Sequence, residues 1–98
     1  MAKLVRDRIP EIIAASGAVP QHRTAAPEEA EALLRAKLAE ETAEFLGSGE
    51  AEELADVLEV LHALAAQRGL TPADLEGLRA AKAEARGAFT RLYVWEQG

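Results

Sequence analysis

Between Lys37 and Arg68 the chain carries eight carboxylates and no lysine or arginine. Charge of that density needs neutralising from outside the run. Within it, Glu41 and Glu44 stand three residues apart, Glu53 and Asp56 stand three apart, and Gly47-Ser48-Gly49 divides the two pairs. On a helix, a three-residue spacing puts both side chains on one face. Two such helices folded back on each other bring four carboxylates together, an arrangement that repels itself unless it holds divalent cations. Hard oxygen ligands without His or Cys select magnesium, with manganese as the substitute, over zinc, and bound magnesium characteristically engages phosphate oxygens as well.

Glutamate-rich helix faces usually serve only solubility, so neither pair carries weight alone. Their weight comes from occurring together on consecutive helices across a glycine-containing turn. A di-iron centre is the rival, because Glu59-x-x-His62 is one copy of the Glu-x-x-His element used by di-iron bundles. That chemistry needs two copies, so His62 reads as a packing or surface histidine.

The elements that must position these groups follow from periodicity and caps. An extended lead-in carrying Lys3, Arg6 and Arg8 precedes a short helix, with Asp7 as its cap, Pro10 in its first turn and Gly17 at its end. Residues 18 to 26 form a loop in which His22 is exposed. A second helix begins near Pro27, with Glu28, Glu29 and Glu31 at its positive end, and runs to about Leu46 before Gly47. Leu34, Leu38 and Phe45 mark its buried stripe, and the position between Leu38 and Phe45 on that stripe is Glu41. A carboxylate centred on a core face is costly unless paired or metal-bound. Glu40 points away, and Glu44 shares a flank with Lys37.

The third helix is expected from about Glu50 to Arg68, opened by Ser48 or Gly49 and stopped by Gly69. Leu54, Val57, Leu58, Leu61 and Ala65 form one apolar stripe, while Val60, Ala63 and Leu64 extend it around a second side bearing Glu53 and Asp56. A helix so widely apolar needs more than one neighbour, which in a short chain means oligomerisation to a homodimer or homotetramer. Thr71-Pro72-Ala73-Asp74 starts a fourth helix, with Leu75, Leu78 and alanines turned inward and Lys82 and Arg86 one turn apart. After Gly87, residues 88 to 95 alternate enough for a strand-like strap packed on another element or a partner chain. The expected fold is an all-α antiparallel helical bundle with short extended termini.

Composition agrees with that reading. The 98 residues make one domain, 49% hydrophobic but only 4% aromatic, so the core is of Leu, Ala and Val. The absence of cysteine excludes disulfides, thiolate zinc sites and thiol nucleophiles. A net charge of -6 argues against nucleic-acid binding, and no segment approaches a membrane span or a signal peptide, so a cytoplasmic protein is expected.

The run Glu40-Glu41-x-x-Glu44 followed by Glu53-x-x-Asp56, set in KLAEETAEF and EELADVLEVL, resembles the signature of the MazG-like, all-α nucleoside triphosphate pyrophosphohydrolases, which include phosphoribosyl-ATP pyrophosphohydrolase. KLVRDRIPEII at the start and Lys82-x-x-x-Arg86-Gly87-x-Phe89 near the end resemble the short, stand-alone branch of that superfamily. Two features depart from it: the turn between the acidic pairs is tight, and Ala88 stands where a second glycine is more usual. The resemblance implies that Glu41, Glu44, Glu53 and Asp56 hold magnesium, with Glu40 as a helper. Lys3, Arg6, Arg8, Lys82 and Arg86 would contact the phosphates of a nucleotide substrate. The implied reaction is magnesium-dependent attack by water between the α- and β-phosphates, giving a monophosphate and pyrophosphate. The alternative is a helical module of the same fold that binds nucleotide or protein without turnover.

Overall fold

A computed structural model describes residues 2–96. Four helices follow in order: α1 (Ile9–Ala15), α2 (Pro27–Ser48), α3 (Ala51–Gln67) and α4 (Pro72–Arg86). No strand occurs among the described residues, so the chain is all-helical. None of the helices is long and apolar enough to cross a membrane.

Local chemistry sets the helix ends. At α2, Pro27 takes the first position and the Glu29 carboxylate accepts from the Ala26 backbone N–H at 2.9 Å, while Arg23 pairs with the same carboxylate. The helix runs through Gly47 and stops only at Gly49, two residues beyond the expected end. Gly49 has a φ of 70°, the left-handed conformation that glycine adopts without a Cβ clash, and its N–H donates to the Phe45 carbonyl at 2.8 Å. Ser48 Oγ then accepts from the Glu50 N–H at 3.2 Å as α3 begins. At α4 the expected cap is present in reciprocal form: Thr71 Oγ1 accepts from the Asp74 N–H at 3.1 Å and Asp74 Oδ2 from the Thr71 N–H at 2.9 Å. Asp7 does not cap α1; Arg8 occupies that position without a side-chain bond, and the Ile9 N–H donates to the Arg6 carbonyl at 3.0 Å.

The organising unit is the hairpin of α2 and α3. α4 leans on α3 alone, and α1 packs on none of the other helices. Arg68 at the end of α3 reaches Glu31 near the start of α2 at 2.9 Å, which pins the antiparallel register. With that register the far end of α2, at Glu41, faces the start of α3, at Glu53 and Asp56.

On α2 the stripe Leu34, Leu38 and Phe45 is half-buried, and Glu41 is its most buried member. On α3 the side turned to α2 is the one bearing Glu53, Asp56 and Val60, which the sequence ranked as secondary. The more obvious stripe divides: Ala65 is buried and Val57 half-buried, while Leu54 is 51% and Leu58 49% exposed. α4 half-buries Leu75 and Ala83 but leaves Leu78 exposed, so its inward face is thinner than its pattern implies. The C-terminal segment corrects the expectation of a strap packed on another element of the same chain. Leu92 takes a φ of 50° in a turn closed by its N–H on the Phe89 carbonyl at 3.4 Å, which breaks the alternation. Phe89, Tyr93 and Trp95 all stand exposed, with Trp95 at 84%.

Candidate metal centre

Glu41 lies on the core face because helical spacing places it between Leu38 and Phe45, and it is only 8% exposed. Its Oε1 accepts from Lys37 Nζ one turn earlier at 3.2 Å. Its Oε2 is buried and has no hydrogen-bond partner. A buried carboxylate oxygen left without a donor is costly. Oxygen atoms of Glu41, Glu53 and Asp56 lie within 4.8 Å of one another, close enough to share one cation. All three are carboxylates and the group contains no histidine, so His62 lies outside it and the di-iron alternative gains no second ligand set.

Glu44 stands on the exposed edge of this group rather than within it. It lines the same cleft, and the neighbouring Glu41 charge pushes its carboxyl above the ordinary carboxylate range. Glu53 is also pushed up, first by desolvation and then by the charges of Glu44 and Asp56. Among the described residues neither Glu44 nor Glu53 joins an ion pair. The like-charge part of both shifts, which comes first for Glu44 and after desolvation for Glu53, is what a divalent cation would relieve.

The other members of the cluster draw their counter-charge from the chain itself. Lys37, half-buried, donates to Glu40 Oε2 at 2.7 Å as well as to Glu41. Burial opposes its charge, but the hydrogen bonds to Glu40 and Glu41 outweigh that and hold its pKa above the usual lysine value. Glu40 is held low by Lys37 and then by Lys3, whose Nζ lies 3.1 Å from its Oε1. Arg6 Nη2 donates to Asp56 Oδ1 at 2.6 Å, a hydrogen bond that raises the guanidinium pKa further. A cleft of about 480 Å³ opens between the N-terminal segment and the hairpin, lined by Arg6, Lys37, Glu41, Glu44 and Asp56 among apolar walls.

Of the cations expected to meet phosphate, the fold therefore brings Lys3 and Arg6 to the acidic group. Arg8 turns instead to Glu11 on its own helix. Lys82 and Arg86 lie exposed on α4 and do not line the cleft. Lys37, which the sequence places on a flank with Glu44, instead pairs with Glu40 and Glu41. Its spacing of three and four before Glu40 and Glu41 was the available signal.

No protein-family model matches the chain. It is similar to an uncharacterised protein of Mycolicibacterium smegmatis, 61% identical over 45 residues, a stretch that is 46% of this chain and 46% of the relative. The match thus spans less than half the relative's length. No solved structure matches.

Proposed function

We propose that the chain is a magnesium-dependent nucleotide pyrophosphohydrolase of the MazG-like type, cytoplasmic and assembled as a homodimer or homotetramer. The observation that carries this reading is that Glu41, whose buried Oε2 has no partner, belongs with Glu53 and Asp56 to a group whose oxygens lie within 4.8 Å of one another. An oxygen so placed has a physical rationale if a cation completes it, and an all-oxygen donor set fits magnesium or manganese.

Glu41, Glu53 and Asp56 would hold the ion, with Glu44 at the open edge. Bound magnesium supplies charge neutralisation for the phosphates and acidifies water. Lys37 holds Glu41 by Oε1 and leaves Oε2 without a partner. Glu44, exposed on the cleft beside the three residues that would hold the ion, is placed to accept the proton of an attacking water. Arg6 and Lys3, already at the cleft, supply positive charge for the pyrophosphate that leaves.

The test is incubation with magnesium and a panel of canonical, modified and phosphoribosylated nucleotides, with products resolved as monophosphate and pyrophosphate. Turnover falling at least about a hundredfold in Glu41→Gln and in Glu53→Gln is the expected outcome. Undiminished turnover in both, or release of single phosphates, overturns the mechanism. Nucleotide binding without turnover across the panel favours the non-catalytic module.

A further inference from the structure

Residues 2–6 form an arm without helix or strand that turns at residues 7–8 into α1, and both of its cations are laid on the acidic cluster. Arg6 holds Asp56 at 2.6 Å and Lys3 holds Glu40 at 3.1 Å. Leu4, Val5 and Ile9 of the same segment wall the cleft opposite Glu41 and Val60. Because α1 packs on no other helix, the two ion pairs and the half-buried Leu4 and Ile9 are what fasten the arm to the hairpin. Arg6 is 54% exposed at its side chain and Lys3 64%, and pairs so open to water exchange partners readily.

Asp56 therefore has two claimants. It belongs to the three-carboxylate group able to share a cation, and it is the acceptor for Arg6. A divalent ion at that group takes electron density from the same carboxylate and repels the guanidinium beside it. A phosphate arriving with the ion offers Arg6 a replacement, since a guanidinium binds two phosphate oxygens in parallel.

We infer that the N-terminal arm is a charge-exchange latch: cation binding at Glu41, Glu53 and Asp56 releases Arg6 from Asp56, and the freed guanidinium becomes a contact for a phosphate group. The inference rests on the metal-centre reading above. It gives Arg6 opposite effects on two ligands, which a merely structural residue does not have.

Titration of the full chain with magnesium alone, followed by inorganic pyrophosphate at saturating magnesium, reads both effects by calorimetry. In Arg6→Gln, magnesium binds about fivefold tighter and pyrophosphate about tenfold weaker. Since the chain has no cysteine, Ala2→Cys gives a unique site for a nitroxide. Its spectrum sharpens when magnesium is added to the protein with Arg6 and is already sharp in Arg6→Gln. Unchanged or weaker magnesium binding in Arg6→Gln, or a spectrum unmoved by saturating magnesium, overturns the latch and leaves the metal centre standing. Failure of both proteins to bind magnesium removes the metal centre and the latch together. If circular dichroism shows that Arg6→Gln has lost helix, Arg6→Lys keeps the charge without the two-pronged donor, and weaker pyrophosphate binding with magnesium affinity unchanged to twofold tighter is then the supporting result; unweakened pyrophosphate binding overturns the latch.

Discussion

Glu41 sits where an apolar side chain would pack, and its unpartnered Oε2 costs the fold stability. Replacing it with leucine, close in volume, should stabilise the chain by about 1–3 kcal/mol, the penalty of a buried unsatisfied group, while abolishing catalysis. Lys37 keeps Glu40 as its partner in that variant, so no new orphan charge arises. Urea denaturation checks the sign, and added magnesium should raise the midpoint of the parent protein but not of Glu41→Leu. The address of Glu41 was legible because Leu34, Leu38 and Phe45 define a stripe with one gap. Arg6 on Asp56 was not, since fifty residues separate them and only the fold of the arm brings the pair together.

At the scale of elements, the turn between α2 and α3 decides how the two acidic faces meet, and its two glycines have different jobs. Gly47 lies inside α2 with open space around it, whereas Gly49 carries the left-handed φ of 70°. Gly47→Ala should therefore stabilise by about 0.5–1 kcal/mol through helix propensity. Gly49→Ala should destabilise by about 1–2 kcal/mol, although no atom obstructs its methyl group, because the strain is in the backbone. Opposite shifts in denaturation midpoint check the pair. Sequence placed the break at Gly47 because a glycine after a periodic run reads as a stop, but propensity alone does not say which of two nearby glycines turns left-handed. The start of α4 was legible to the residue, since Thr71, Pro72 and Asp74 satisfy local donors without help from the rest of the chain. The C-terminal segment forms no strap within the chain for the converse reason: alternation marks a strand only where another element is present to pair with it, and Leu92 turns the chain at φ 50°.

For the whole molecule, the single chain is too open to stand as a finished globule. Its radius of gyration is 17.3 Å against about 13 Å for a compact chain of this length, and it measures 58 × 32 × 24 Å. Its accessible surface of 8325 Å² exceeds by about 2,900 Å² what a folded monomer of its mass exposes. Val60 and Ala65 are the buried apolar residues among those described, while Leu54, Leu58 and Leu61 line one open face of α3. An obligate dimer buries about 2,000–5,000 Å² in total, half of it on each chain, so an excess of this size per chain matches one interface above the top of that range or two within it. Light scattering should accordingly return a dimer or tetramer mass at micromolar concentration, with no monomer. Leu58→Glu, placed in the middle of the open stripe, should lower that mass and the melting temperature together, because two like charges would face each other across a twofold interface. The same substitution on a protein that is monomeric from the start would leave both unchanged, since a half-exposed leucine on a solvated face contributes little to a fold that does not bury it.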